Sequence, residues 1–169
     1  ELVPGRLVKD YNGDGQTDLA VYQGLSGNWY IRTLPGSTLA FGTNWGFSGV
    51  TTVPGDYNRD GVSDMAVFSP ALGNWYIRTV AGAILAMGTN WGFNGCVTAP
   101  GNYRRDTQTA LALFHPPTGN WYIRTLGGEI VAMGTNWGFN TCATVPGDYD
   151  GDGVSDLAVS HAATGRWYI

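Results

Sequence analysis

The sequence repeats itself every 46 residues, and no other feature restricts its fold as strongly. The segment DYNGDG and its three counterparts begin at Asp10, Asp56, Asn102 and Asp148. Two further segments, GNWYIRT and GTNWGF, recur with the same period. Self-similarity at a fixed period of this size is typical of proteins built from stacked supersecondary units. We therefore divide the 169 residues into full units at 1–46, 47–92 and 93–138 and a partial unit at 139–169.

Each unit has the pattern of short β-strands. In the second unit, stretches of strand character at 53–57, 65–68, 74–79 and 84–87 are separated by turns rich in Gly, Pro and Asp. Four short strands in about 46 residues are typical of one β-propeller blade. The sequence therefore predicts an all-β propeller with three full blades and a truncated fourth. A β-solenoid is the competing architecture, although solenoids of this kind usually repeat in shorter units.

The partial last unit leaves three interpretations open. The predicted fourth blade lacks its outermost strand, so its edge would present unpaired backbone groups. The chain is a fragment of a larger propeller, or copies of it associate to cover the gap, or a four-bladed ring tolerates one short blade. Glu1 in place of an initiating Met fits a processed or excised piece.

A nine-residue acidic loop, D-x-[DN]-x-D-G-x-x-D, carries the strongest chemical signal. Side-chain oxygens at positions 1, 3, 5 and 9 and a carbonyl at position 7 can converge on one cation, and Gly at position 6 allows the sharp turn. A set of oxygen donors without Cys or His favours Ca²⁺ over Zn²⁺ or copper, and the irregular loop favours it over Mg²⁺. The predicted ligands are Asp10, Asn12, Asp14, Gln16 and Asp18 in the first unit, Asp56, Asn58, Asp60, Val62 and Asp64 in the second, and Asp148, Asp150, Asp152, Val154 and Asp156 in the fourth.

The loop is not an EF-hand, and the third unit lacks most of its ligands. Position 12, which holds a bidentate Glu in an EF-hand, is Val in all three acidic loops, and the flanks have strand character. The third loop, at 102–110, has at the ligand and turn positions Asn102, Arg104, Asp106, Thr107 and Ala110. We therefore predict about three calcium sites and none in the third loop, where Arg104 or Arg105 would supply positive charge instead.

The loop, the apolar strand that follows it (DLAV or DMAV) and the 46-residue unit resemble FG-GAP/VCBS repeats. These are the blades of integrin alpha-chain propellers and of many secreted bacterial proteins. The resemblance covers the whole chain, is most specific in the loop and departs from the family in the third unit. It implies a calcium-stabilised propeller outside the cytosol, secreted or at the cell surface, that acts in adhesion, protein interaction or scaffolding. No particular partner follows from it.

Seven Trp residues fall into two repeated series. The first comprises Trp29, Trp75, Trp121 and Trp167 in the GNWYIR-type strand, and the second comprises Trp45, Trp91 and Trp137 in GTNWGF. Large aromatic side chains pack between blades, and exposed ones stack on sugars. Because polar residues flank the second series, we expect its members to be the more exposed ones and the candidate ligand-binding residues of a glycan-binding protein.

Recurring Arg, Cys and His residues carry weaker signals. We expect Arg32, Arg78 and Arg124 to lie on a solvated strand face, and Cys96 and Cys142 to be buried free thiols. His115 and His161 have no acid or nucleophile near them in the sequence, so they indicate neither catalysis nor metal binding.

Composition excludes several classes of function. Only 13% of the residues are charged, the net charge is −4, and Lys9 is the single lysine, so a nucleic-acid role is not expected. No apolar run approaches the roughly 20 residues of a membrane helix. Ten of the 13 acids lie in the three acidic loops, so no carboxylate pair remains for glycoside hydrolysis, and no motif of another enzyme class occurs. We expect a non-enzymatic calcium-binding module; the alternatives are a lectin and a self-assembling unit of an oligomer or filament.

Overall fold

The computed structural model describes residues 9–169, which form fourteen strands. The strands are β1 (Leu19–Gln23), β2 (Asn28–Arg32), β3 (Thr38–Asn44), β4 (Thr51–Thr52), β5 (Met65–Ser69), β6 (Asn74–Arg78), β7 (Ile84–Asn90), β8 (Val97–Thr98), β9 (Leu111–His115), β10 (Asn120–Arg124), β11 (Ile130–Asn136), β12 (Cys142–Thr144), β13 (Val159–His161) and β14 (Arg166–Tyr168). Within these residues, no helix is long and apolar enough to cross a membrane.

The strands form four antiparallel sheets, and each sheet lies within one repeat unit. In order along the chain, the sheets are β1–β3, β4–β7, β8–β11 and β12–β14, and every strand pairs with its sequence neighbour. The predicted all-β fold and the four-stranded middle units are confirmed. The first strand of the second unit is β4, a little before the predicted segment at 53–57. That segment instead lies beside the acidic loop, where Gly55 forms an isolated bridge with Asp64. None of the sheets seen in residues 9–169 closes on itself.

A β-bulge recurs in each full unit. Trp75 of β6 is opposite Thr89, whereas the next residue, Tyr76, is opposite Met87, so Gly88 of β7 is the extra residue. Gly88 has a φ of 74°, in the left-handed region that glycine adopts without strain. Bulges of this kind bend a strand and increase its twist. The equivalent shifts in the other two units follow from Gly42 and Gly134.

The sheets pack face to face through apolar clusters that each join two units. In the first cluster, Met65 and Val67 of β5 pack with Tyr11 and Trp29 of the preceding unit. The residues 46 positions later, Leu111 and Leu113 with Tyr57 and Trp75, belong to the next cluster. All five residues of β5 are buried as a result. A strand that is covered on both faces requires apolar side chains on both, as in the run MAVF.

Candidate metal-binding loops

In the second, third and fourth units the loop connects the first strand to the second, and in the first unit it leads into β1. In the second unit the loop ends at Asp64, and β5 begins at the next residue. The backbone N–H of Asp64 donates to the carbonyl of Gly55 over 2.7 Å and closes the base of the loop. The other loops close in the same way, through Asp18 to Lys9, Ala110 to Gly101 and Asp156 to Gly147. Strands therefore flank the loops, as the exclusion of an EF-hand predicts.

The first carboxylate of each acidic loop organises the loop backbone. Asp56 Oδ1 accepts a hydrogen bond from the backbone N–H of Arg59 over 2.7 Å, and its Oδ2 accepts one from Gly61 over 3.1 Å. Asp10 and Asp148 accept the equivalent pairs of bonds in their own loops. Asp and Asn side chains commonly shape turns in this way. The chain is thereby wrapped around a group of acidic oxygens.

The last carboxylate lies at the base of the loop, beside the apolar core. Asp64 is fully buried and accepts a hydrogen bond of 2.9 Å from the backbone N–H of Tyr57. Burial, and after it the charge of Asp64, raises the pKa of the Tyr57 hydroxyl above its ordinary value. Asp18 and Asp156 accept the same bond from Tyr11 and Tyr149. A buried carboxylate is costly without compensating charge, so this position favours a cation.

Three carboxylates of the fourth loop have the spacing that one calcium ion requires. Asp148, Asp150 and Asp156 each offer an oxygen, and these oxygens lie within 4.8 Å of one another. Oxygen ligands lie about 2.3–2.6 Å from Ca²⁺, so two ligands of one ion are at most about 5 Å apart. In the first two loops the position of Asp150 is occupied by Asn12 and Asn58, whose amides donate to Asp14 and Asp60. The spacing of the three carboxylates in the fourth loop therefore fits a calcium ion.

The third loop contains an arginine where the acidic loops have a ligand. Arg104 Nε lies 3.3 Å from Asp106 Oδ2, and the same guanidinium pairs with Glu129. Arg104 thus supplies positive charge inside this loop, as one of the two sequence alternatives predicts. Arg105 instead reaches the next loop, where its guanidinium lies 2.9 Å from Asp152 and lowers the pKa of that carboxyl.

Each loop also contacts the loop of the next unit. The backbone N–H of Ser63 donates to the carbonyl of Asp10 over 2.6 Å, and that of Thr109 donates to Asp56 over 2.7 Å. Ser155 and Asn102 form the third such bond. Sequence reasoning missed these contacts. The sequence signal that could have indicated them is the glycine before the loop. A Cβ on Gly55 would lie 2.6 Å from the Thr109 side chain, so glycine at this position leaves room for the next unit.

The two Trp series differ in burial, broadly as the sequence predicts. Trp29, Trp75 and Trp121 are buried, whereas their counterpart Trp167 in the last unit is exposed. In the second series, Trp45 and Trp91 are half-buried and Trp137 is exposed.

The expectation of a solvated strand face is wrong for two of the three recurring arginines. The Arg78 guanidinium lies over the Trp45 ring, 5.6 Å from its centroid, and that of Arg124 lies over Trp91 at 5.4 Å. A cation over an aromatic face is attracted by the ring quadrupole. Each arginine thus joins its own unit to the preceding one and covers one face of a candidate sugar-stacking ring. Arg32 is exposed, as expected.

A small apolar cleft lies beside the loop of Trp91. It has a volume of about 120 Å³ and is lined by Trp91, Gly92, Phe93, Tyr122 and Met133. The Phe93 and Tyr122 rings meet edge to face with centroids 5.3 Å apart. The cleft therefore lies between the second and third units.

The remaining candidate residues serve local structure. Cys96 and Cys142 are buried free thiols, as predicted, and burial raises the pKa of Cys96. His115 Nδ1 lies 2.9 Å from Thr118 Oγ1, and its ring contacts Phe93. His161 makes the equivalent contact with Thr164.

Comparison with known families identifies the repeat. Residues 10–67 match the FG-GAP-like repeat, a segment that contains the first two acidic loops and the start of β5. No curated protein and no solved structure matches the chain. Residues 10–67 are thus similar to the FG-GAP-like repeat, and the match confirms the predicted resemblance to that family over this segment.

Proposed function

We propose that this chain is a calcium-stabilised, propeller-like module that presents a surface for protein interaction outside the cytosol. The observation that carries this proposal is the recurrence of one oxygen-rich loop at the same place in three units. The stacking of antiparallel units of three and four strands supports the propeller architecture. The family match and the calcium chemistry support an extracellular setting.

The residues that would hold calcium are the acidic loop positions. They are Asp10, Asn12, Asp14, Gln16 and Asp18; Asp56, Asn58, Asp60, Val62 and Asp64; and Asp148, Asp150, Asp152, Val154 and Asp156, with Gln16, Val62 and Val154 contributing carbonyls. A bound calcium ion supplies two positive charges to each loop. Three ions add six charges to a chain of net charge −4, so the loaded protein has a charge of about +2.

The position of the loops explains how binding would stabilise the whole module. The carbonyl of Asp56 accepts a hydrogen bond from Thr109 of the next loop, and the Asp56 side chain holds its own loop in shape. A ligand that holds the loop in this conformation therefore also orders the contact between units. Binding to the folded state alone stabilises a protein by about 2.7 kcal/mol at a free ligand concentration of 100 times Kd.

Calorimetric titration of the metal-free protein with Ca²⁺ tests the proposal. We expect about three ions per chain and a melting temperature that falls when a chelator is added. Asp60→Ala removes a predicted ligand and should abolish one site. Asp106→Ala, at the same position of the third unit, is the matched control and should leave the number of ions unchanged. A protein that binds no calcium and melts at the same temperature in chelator would refute the proposal.

The apolar cleft beside Trp91 favours glycan binding as a second candidate function. An apolar wall with half-exposed aromatic rings is a common surface for the carbon face of a sugar. A glycan array tests it, with Trp91→Ala as the variant and Trp167→Ala, outside the cleft, as the control. Binding that Trp91→Ala abolishes and Trp167→Ala preserves would support a lectin; an array without hits would argue against one.

A further inference from the structure

The third loop contributes side chains to the loop of the fourth unit. Arg105 Nη2 donates a hydrogen bond of 2.9 Å to Asp152 Oδ2. The side-chain amide of Asn102, where the acidic loops have Asp, donates one of 3.1 Å to the carbonyl of Gly153. The backbone carbonyl of Asn102 also accepts a bond from the N–H of Ser155. The third loop therefore contacts the fourth at several points, and one of its arginines pairs with a predicted calcium ligand.

The aspartate at this loop position has a different donor in the other acidic loops. In the second loop, Asp60 Oδ2 accepts a hydrogen bond of 2.8 Å from the side-chain amide of Asn58, and the first loop has the same bond. In the fourth loop Asp150 replaces this amide, and an ionised carboxylate has no proton to donate. Arg105 therefore supplies from the preceding unit the donor that the fourth loop lacks.

The fourth loop carries one more carboxylate than the other two acidic loops. All four of its side-chain ligand positions hold Asp, whereas those of the first and second loops hold three Asp and one Asn. The calcium affinity of an oxygen-donor loop depends on the number of its charged ligands and on its rigidity. By ligand charge alone, the fourth loop is the tightest of the three sites. The guanidinium of Arg105 offsets the additional negative charge.

The equivalent positions of the first and second loops provide internal comparisons. The first loop has Gly13 at the position of Arg105, and glycine has no side chain that can reach the second loop. The second loop has Arg59 there, whose Nη2 lies 2.6 Å from Asp106 of the third loop. The third loop is predicted to hold no calcium. Of Arg59 and Arg105, Arg105 is thus the one whose partner is a predicted calcium ligand.

We propose that Arg105 lowers the calcium affinity of the fourth loop and stabilises this loop when no calcium is bound. The inference rests on the proposed calcium binding and adds how one of the sites is regulated. A calcium ion held by Asp152 carries two positive charges, so the guanidinium paired with the same carboxylate repels it. Without the ion, the guanidinium reduces the repulsion among the four aspartates. The third loop thereby sets the affinity of its neighbour.

Calorimetric titration with Ca²⁺ of a chain that keeps only the fourth site tests the proposal. Asp14→Ala and Asp60→Ala, both at exposed residues, remove a ligand from each of the other two sites. In this background Arg105→Gln should raise the calcium affinity about two- to fivefold, the effect typical of an exposed ion pair. Arg105→Lys keeps the charge and should keep the lower affinity. The Arg105 side chain is 74% exposed, so the gain in Arg105→Gln should shrink in about 1 M KCl, where salt screens exposed charges.

Arg59→Gln in the same background is the matched control. It also removes an arginine that joins two loops, but its partner lies in the third loop, so the affinity of the fourth site should not change. In chelator, Arg105→Gln should melt at a lower temperature than its parent, because the metal-free fourth loop loses its counter-charge.

The outcomes separate this inference from the proposed function. If the background variant does not fold, the same arginine substitutions are titrated in the otherwise unchanged chain, where the affinity of one site should increase and those of the others should not. A chain that binds no calcium refutes both proposals. Calcium binding to the fourth site with an affinity that is unchanged or lowered in Arg105→Gln overturns this inference alone.

Discussion

The indole N–H of Trp75 donates a hydrogen bond of 2.8 Å to the backbone carbonyl of Trp91. The same bond of 2.8 Å joins Trp29 to Trp45 in the first unit and Trp121 to Trp137 in the third. A buried Trp of the first series thus holds the loop that carries the more exposed Trp of the second. The GTNWGF loop is thereby connected to the core of its own unit.

Trp75→Ala should destabilise the protein strongly, because it leaves a cavity between two units and removes this bond. Large aromatic residues replaced by Ala in a core typically cost about 3–5 kcal/mol. Trp167→Ala, at the equivalent but exposed position, should cost less than about 1 kcal/mol. Urea unfolding of both variants measures the difference. Equal losses in the two variants would show that the interface around Trp75 contributes little.

Gly73→Ala should be much more harmful than Gly165→Ala. Both residues have a φ of 67°, so both variants incur the same backbone strain of about 1–2 kcal/mol. A Cβ on Gly73 would also lie 2.2 Å from the carbonyl oxygen of Gly92, whereas a Cβ on Gly165 meets nothing within 4 Å. The thermal unfolding midpoints of the two variants isolate the cost of the clash. Similar midpoints would mean that the loop at Gly92 moves away easily.

The 46-residue period made much of the fold and the candidate site predictable. Strands, turns and acidic loops are local sequence patterns. Because Trp75 recurs at the same position of each unit, the repetition also predicted that a Trp series packs between neighbouring units. The positions of Arg78 and Arg105 could not be predicted. Arg78 lies on a Trp of the preceding unit and Arg105 on an acid of the following one. Such contacts depend on how two units are oriented relative to each other, and the sequence of one unit does not contain that information.

Thr107→Gly should stabilise the third loop. Thr107 has a φ of 63°, at the loop position where Gly61 has a φ of 93°. A β-branched residue in the left-handed region costs about 1–2 kcal/mol, and the added freedom of glycine in the unfolded chain offsets roughly 0.4–1 kcal/mol of the gain. We therefore expect a net stabilisation between about 0 and 1.6 kcal/mol in chemical unfolding. Gly61→Thr is the reverse substitution and should destabilise; a Thr107→Gly variant less stable than wild type would contradict the argument.

Stability should fall at alkaline pH. Burial raises the pKa of the Tyr11, Tyr57 and Tyr103 hydroxyls above their ordinary value of 10.0. The unfolded chain therefore loses these protons at a lower pH than the folded chain. The stabilisation is complete below about pH 10 and decreases above it, by about 1.4 kcal/mol per pH unit for each hydroxyl. Urea unfolding across this range measures the slope. Tyr57→Phe should reduce it, and an unchanged slope in that variant would exclude Tyr57 as a source.

Restoring the ligands of the third loop should create an additional calcium site. The variant combines Asn102→Asp, Arg104→Asn, Thr107→Gly and Ala110→Asp, which reproduces the pattern of the second loop. Removal of Arg104 takes away one of the two guanidinium groups that pair with Asp106, and Arg59 of the second loop, 2.6 Å from the same carboxylate, remains. The new carboxylate at position 110 can accept the backbone N–H of Tyr103, as Asp64 accepts that of Tyr57. Calorimetric titration should then show one more ion per chain than the wild type. The same variant with Ala110 retained lacks the buried ligand and should bind the added ion weakly or not at all. If the full variant folds and the number of ions does not change, the acidic positions alone do not make the site.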